Sequence, residues 1–391
     1  MNRVKRVGAA LALAAAAAWG QANAAPDNLR QNALTLEQQG KNTEAEAAWR
    51  QYLKAHPADS EPYAQMGLIE ARQQHYKDAV PLYRKALALN PKVASVRLDL
   101  GLALFKDGDS KAAIQQFDIL LKSRPDDFQL NALNGMAHYG LAEYAAAVPY
   151  LKAAAAHDAS NLPLRLALAH SCLWSRQFDC VMDAYHRILD LNAESAEADM
   201  LAGEALDEMK DNEGSTKMFR AAAQANPKEP NVHFGLGYLL WTQKQYGEAA
   251  SEFHAELAND PDHIQAMLYL ADTDIQVNRI EDARPLLEKV EKMNRAIPLD
   301  HLDLGIVYSE ADEKENALRE LTAAAQLAPS DVNVHWRLAR LYQKMGRKEE
   351  ARAEFDKAGK LNKAADDDLY KKIANGKPQT PDTATAPPPN Q

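Results

Sequence analysis

The sequence predicts an all-α fold: an α-solenoid of about ten helix-turn-helix repeats with a short C-terminal capping helix. Three observations predict it. A 34-residue period runs without insertion or deletion from Pro26 to Ala365. Every window holds two amphipathic segments in which apolar residues recur three and four apart, the spacing of one helix face. The composition, 46% apolar and 26% charged, is rich in Ala, Leu, Glu, Gln and Lys, all strong helix formers.

Composition also removes several classes of function. The apolar share is too high for a disordered chain. After the first 25 residues no run of 18 strongly apolar residues occurs, so no internal membrane span is expected. The formal charge is −10, and loss of Arg3, Lys5 and Arg6 with the leader takes it to −13. Nucleic acid and anionic lipid both need clustered cations and are therefore not expected partners. Two cysteines are too few for a disulfide framework.

The N-terminus reads as an export signal. Three cations lie between Met1 and Arg6, an Ala/Leu/Val run follows from Val7 to Trp19, and Ala22-Asn23-Ala24 places small residues where a signal peptidase reads. Residues 1–24 are therefore expected to be cleaved. As an uncleaved anchor the run is short and Ala-rich for about 30 Å of hydrocarbon. The mature chain is expected in the periplasm, or secreted where the source has a single membrane.

The windows start at residues 26, 60, 94, 128, 162, 196, 230, 264, 298 and 332. Position 8 is always small: Ala33, Gly67, Gly101, Gly135, Ala169, Gly203, Gly237, Ala271, Gly305 and Ala339. Position 20 is also small, Val181 in the fifth window being its largest residue. Position 24 is large: Trp49, Tyr83, Phe117, Leu151, Tyr185, Phe219, Phe253, Leu287, Leu321 and Phe355. Small residues let two helix axes approach, and the large residue fills the space beside them. Position 32 is Pro in six windows (Pro57, Pro91, Pro125, Pro227, Pro261 and Pro329), which stops the second helix. One hairpin cannot bury its apolar face alone, but a stack can.

This phase of small, small, aromatic and Pro resembles the tetratricopeptide repeat family of exported bacterial type. The resemblance implies a right-handed solenoid with a concave face for ligands. There are departures. Asn32 stands where Leu is typical, Glu256 stands at position 27 where Ala is expected, and Pro81, Pro149 and Pro285 fall early in second helices. Asp366, Asp367 and Asp368 are suited to start a capping helix over residues 366–375, with Leu369, Tyr370 and Ile373 covering the last repeat. Residues 376–391, rich in Pro and Thr, are expected to be a disordered tail.

Chemistry is sparse. The sequence holds no glycine-rich phosphate loop, no Gly-x-Ser-x-Gly elbow and no His-Glu-x-x-His. His233, His301 and His335 share window position 4 and lie too far apart for one metal site, so they read as structural. The repeats leave no residues over for a catalytic domain. The expectation is a non-enzymatic chain with no cofactor, no metal and no catalytic residue. Cys172 and Cys180 stand on the two helices of one hairpin. They either bond in an oxidising compartment or serve as two small apolar fillers.

By the resemblance, positions 2, 5, 9, 12 and 13 line the groove. Among those they place there are Leu102, Phe105, Met136, Tyr139, His170, Leu173 and Trp174 from the third to fifth windows. Glu204, Asp207 and Glu208 come from the sixth, and Phe234, Tyr238 and Trp241 from the seventh. The groove thus reads as apolar and aromatic beside one acidic cluster. The Lys and Asn pair that grips chaperone tails in some relatives is absent, with Ala64/Leu68 and Leu98/Leu102 in such slots. The expected function is a scaffold that binds a peptide or helical segment of a protein partner in this groove. The alternative is a periplasmic assembly adaptor for cytochrome maturation or envelope polysaccharide export.

Overall fold

A computed structural model describes residues 26–293 and 297–374. The leader expected over 1–24 and the tail expected over 376–391 lie outside the described residues. Among the described residues there are twenty helices and no strand, two helices to each window. The chain divides into two units between Ala193 and Glu194, at the close of the fifth window.

The first unit contains α1 (Pro26–Gln38), α2 (Asn42–Ala55), α3 (Glu61–Arg72), α4 (Tyr76–Leu89), α5 (Ala94–Lys106), α6 (Ser110–Leu121), α7 (Phe128–Gly140), α8 (Tyr144–His157), α9 (Leu162–Trp174) and α10 (Phe178–Leu189). The second contains α11 (Ala196–Glu208), α12 (Asn212–Ala225), α13 (Val232–Thr242), α14 (Tyr246–Asn259), α15 (Ile264–Gln276), α16 (Ile280–Met293), α17 (Pro298–Glu310), α18 (Lys314–Leu327), α19 (Val332–Lys344) and α20 (Lys348–Ala374). Within each unit a helix packs on its successor. In the second unit the first helices of consecutive repeats, α11, α13, α15, α17 and α19, also touch in sequence.

The position 8 to position 24 contact is direct. A Cβ built on Gly101 falls 2.5 Å from the Phe117 ring, and one on Gly237 falls 2.7 Å from the Phe253 ring. The same holds for Gly67 against Tyr83, Gly135 against Leu151, Gly203 against Phe219 and Gly305 against Leu321. Phe219 meets a second glycine on its other side, Gly235, whose Cβ would lie 2.3 Å away. No side chain fits at these glycines unless the helices part.

A polar contact repeats beside it. His233, His301 and His335 at position 4 meet Glu252, Glu320 and Glu354 at position 23, with Nδ1 to Oε2 separations of 2.6, 2.7 and 2.6 Å. Each pair ties the first helix of a repeat to the second, as a structural histidine would. Arg97 and Gln116 occupy the same two positions in the third window.

The ten turns inside the repeats share one conformation. Position 15 has a positive φ in every window, yet only Gly40, Gly108 and Gly346 are glycines; Gln74, Ala142, Arg176, Lys210, Lys244, Asn278 and Asp312 fill the rest. The amide of position 16 then donates to the carbonyl of position 11, as His75 does to Glu70 at 3.0 Å and Gln177 to Cys172 at 2.8 Å. This closes the first helix with a left-handed residue and satisfies an orphan carbonyl. Side chains bridge the same turn. His138 meets Glu143 at 2.7 Å, Arg279 meets Asp274 at 2.7 Å, and Arg347 lies over the Tyr342 ring. In the fifth repeat the bridge is covalent, for Cys172 and Cys180 are bonded, with Cα atoms 5.8 Å apart.

One detail differs from expectation. A separate capping helix from Asp366 is not formed; α20 runs unbroken from Lys348 to Ala374. Lys363 replaces the closing proline and Ala364 and Ala365 follow it, so nothing stops the helix there. Helices α4, α8 and α16 run through Pro81, Pro149 and Pro285, which lie early in these second helices as expected.

Gly101→Leu should lower stability by about 1–3 kcal/mol through overpacking against Phe117. A urea titration of the full chain measures this. An unshifted midpoint would mean the contact does not set the α5–α6 distance.

Candidate functional site

Two aromatic clusters emerge from the first helices, one in each unit. In the first unit, Tyr139 near the end of α7 meets Tyr144 at the start of α8, with ring centroids 5.9 Å apart. Tyr144 stacks in turn with Trp174, 6.1 Å away, and Tyr139 lies 6.3 Å from the His170 ring. Trp174 is 47% exposed, and with Tyr144, Ala142, Glu143 and Ser175 it lines a shallow hollow. Leu102, Phe105, Met136, Tyr139 and His170 are half-buried. Leu173 is buried and leaves little surface for contact, which corrects its assignment to the groove. One residue step turns a helical side chain by about 100°, so Leu173 packs inward where Trp174 faces out.

The second cluster is larger. Phe234, Tyr238 and Trp241 lie four and three residues apart on α13 and share one face. Tyr269 from α15 joins them, 5.2 Å from Tyr238, 5.0 Å from Trp241 and 6.0 Å from Phe234, with the first two contacts edge-on. Tyr238 and Trp241 are themselves stacked at 5.9 Å. All four rings are half-buried.

The start of α13 is fixed by Glu256, the residue that breaks the expected Ala at position 27. Pro230 precedes, and Asn231 takes a left-handed conformation at φ 66°. The Glu256 side chain, 3% exposed, accepts from the backbone N–H of Asn231 at 3.2 Å and of Phe234 at 3.0 Å. A carboxylate there satisfies two otherwise orphaned donors and sits at the positive end of the helix. It anchors the turn from which Phe234, Tyr238 and Trp241 project.

Acidic residues surround this cluster. Trp241 Nε1 donates to Asp272 Oδ2 at 2.6 Å, and Gln276 donates to the other oxygen at 3.2 Å. Asp272 is buried, and burial raises its carboxyl above the usual range despite those bonds. Asp207 is raised as well, by burial first. Tyr238 is raised by burial and by the charge of Asp207, and Tyr269 is pushed up to about 12 by burial, Tyr238, Asp272 and Asp303. Asp303 on α17 is 1% exposed, and its Oδ2 has no hydrogen bond. Burial and the charges of Asp272 and Asp300 hold it well above the carboxylate range. Asp300, fully buried with neither oxygen bonded, is pushed up to about 7 by burial, with Glu291 and Glu320 adding and His301 opposing.

The structure thus gathers Phe234, Tyr238 and Trp241 and places Asp207 within electrostatic reach of Tyr238, while Glu204 and Glu208 are exposed on α11. The sequence reading missed Tyr144, Tyr269, Asp272 and Asp303. Tyr144 opens a second helix, and Tyr269 and Asp303 occupy position 6, which is not among the groove positions. Asp272 at position 9 was legible, for it continues the row of His170, Glu204 and Tyr238.

One group of metal-ligand type occurs among the described residues. Glu70, His75 and Asp78 place one ligand atom each within 4.8 Å of one another. The group is largely exposed, and its His75–Glu70 contact is one case of the pair that bridges the turn in other repeats. No helix among the described residues is long and apolar enough to cross a membrane.

Family models described as tetratricopeptide repeat match residues 30–71, 64–128 and 209–264 in one version and 240–296 and 310–374 in another, together more than half of the chain. Over 75% of its length the chain is 22% identical to BBSome complex member BBS4 of Bos taurus, of which it spans 56%. Over 79% it is 25% identical to cellulose synthase operon protein C of Xanthomonas axonopodis pv. citri, spanning 18% of that protein. The chain therefore spans little more than half, or less, of these relatives. A solved structure of Naa15/Naa10 bound to HypK-THB is similar at TM-score 0.46 and 17% identity, over 86% of this chain and 63% of that one.

In the second unit, Asp300→Asn should gain stability over the parent chain as pH rises from about 4 to 7. The folded carboxyl titrates near 7 and the unfolded one near 3.9, so the folded state holds the extra proton in that window and loses stability as pH climbs through it. Urea midpoints of parent and variant at pH 5 and pH 7.5 measure the difference. A constant difference would refute the buried, unbonded state of Asp300.

Proposed function

We propose that this chain, which belongs to the tetratricopeptide repeat family, is a non-catalytic scaffold that holds segments of a protein partner against the first-helix faces of its repeats. One observation carries the reading: Trp174 in the first unit and Phe234, Tyr238, Trp241 and Tyr269 in the second are large rings left half-buried or exposed on those faces. Apolar surface of this kind is costly in water and is covered in a complex. Tyr and Trp are the side chains that most often dominate binding energy, because they bury much area and lose few rotamers. The helices that carry them are rigidly packed, so little ordering cost falls on this chain when a partner binds.

The geometry favours an extended peptide or an amphipathic helix, whose side chains reach successive repeats. A second reading, an assembly adaptor for envelope polysaccharide export, is favoured by the similarity to a protein of a cellulose synthase operon. It uses the same surface and differs in the partner. We place the mature chain outside the cytoplasm. The leader-like residues 1–24 and the Cys172–Cys180 bond support this, since such bonds persist in oxidising compartments.

Replacing Trp174, Tyr238 and Trp241 together by Ala should weaken capture of the partner by about a hundredfold or more, given typical anchor contributions of about 2 kcal/mol or more each. A crosslinking pull-down from the native host, with circular dichroism to confirm folding, is the measurement. Undiminished capture would reject the surface. In the same preparations the mature N-terminus, read by mass spectrometry, should be Ala25; an intact Met1 would reject export by cleavage.

A further inference from the structure

We propose that the aromatic face of the second unit selects a cationic side chain, an arginine or lysine of the bound segment, which lies against Tyr238 and Trp241 beside Asp207 and Asp272. This rests on the scaffold reading and adds the chemistry of what is bound.

The argument begins with the carboxylates. The donors that Asp272 has, Trp241 Nε1 and the Gln276 amide, are both neutral. Next to it, Asp303 is almost wholly buried with Oδ2 unbonded, feels the charge of Asp272 and acts in turn on Tyr269. Arg337 on α19 acts on Asp303 from a distance, but its Nε is itself buried without a hydrogen bond, so the two do not complete each other. Asp207 feels Lys210 only as a surface charge at the adjoining turn. Asp272, buried with only neutral donors, and Asp207, half-buried with no cation bonded to it, are poorly compensated, while Asp303 behind them is pushed toward its neutral form. A cation supplied from outside would compensate them.

The rings make the same choice independently. Tyr238 and Trp241 stack on one another and keep part of their surface open, while Tyr269 meets both edge-on. The faces of such rings carry negative potential and attract ammonium and guanidinium groups, most strongly where water is reduced. The Trp241 N–H is already committed to Asp272, which holds the indole plane in place and puts a carboxylate at its edge. An acidic or neutral segment would gain the apolar contact but meet the carboxylates unmatched. A cationic one gains both, which makes charge the basis of selection.

The test pans the full chain against a phage-displayed library of random dodecapeptides. The expected result is Arg and Lys enriched about threefold or more in the selected pool. A synthetic peptide from the best clone, with its enriched cation changed to neutral citrulline or norleucine, should bind about tenfold weaker by calorimetry. In the double variant Asp207→Asn/Asp272→Asn that tenfold preference should vanish, while the neutral peptide binds as before. Asn keeps the oxygen that accepts from Trp241, so the site retains its shape. Selected peptides with no excess of cations, a neutral analogue that binds equally well, or full preference surviving in the variant would each overturn the proposal and leave the scaffold reading standing. Failure to select any peptide would overturn both.

Discussion

The contact on which the rest depends is a ring or leucine at position 24 pressed onto a residue with little or no side chain at position 8. It sets how near the two helices of a repeat lie, and through that the spacing of everything stacked on them. Where position 8 is glycine, even a methyl group would collide with its partner, as with Gly101 and Phe117. Interiors packed to this density transmit small volume changes, so the helix pair behaves as a rigid part. Rigidity is what allows the same helix to hold Phe234, Tyr238 and Trp241 half-buried beside that contact, with Phe234 6.1 Å from the Phe253 ring. The core has already been filled from behind by Phe219 and Phe253.

The turns show the same division between a fixed frame and variable dressing. A left-handed residue at position 15 is sterically disfavoured for anything but glycine or asparagine. Here Ala142, Arg176, Lys210 and others adopt it because the hydrogen bond from position 16 to position 11 closes the helix and offsets the strain. Because the backbone solves the turn, the side chains at positions 11, 16 and 19 are free to vary. They appear as an ion pair at Asp274–Arg279, a ring and guanidinium at Tyr342–Arg347, and a disulfide at Cys172–Cys180.

The repeat phase, the pair of helices in each window and the structural role of His233, His301 and His335 were all legible in the sequence, because each follows from a residue type recurring at a fixed interval. Periodicity reports what every repeat needs. It is silent on what one repeat does alone, and the site is made of such exceptions. Glu256 looked like a flaw at a small-residue position, and only the left-handed Asn231 and the unpaired N–H groups at the start of α13 reveal its partner. Tyr269 is invisible for another reason. Its position belongs to the neighbouring repeat's face, and it meets Tyr238 and Trp241 only because α13 and α15 touch. The cysteine pair was undecidable by spacing, since bonding depends on the angle between two helices. Leu173 was misplaced by assigning a whole column of positions to one face, when one step along the helix changes what a side chain meets.

The buried acids of the eighth and ninth repeats bring the frame and the site into conflict. Position 3 carries a buried apolar residue such as Val96, Leu130, Leu164, Val232 or Val334, yet in the ninth repeat it is Asp300, with neither oxygen bonded. A chain whose local choices agree almost everywhere departs from its own pattern here, and such departures tend to mark sites kept for something other than stability. Asp300 and Asp303 share one helix, one turn apart, and Asp300 raises the proton affinity of Asp303. Asp272 extends the row to the next helix and reaches the edge of Trp241. Burial pushes Asp300 and Asp303 toward the neutral form, so the negative charge beside the open rings is that of Asp272 at the edge of Trp241 and Asp207 near Tyr238. A Val at position 3 and a Leu at position 6 would have given a firmer repeat. Asp272 and Asp207, nearer the surface of the row, give a face whose aromatic surface and field both favour positive charge.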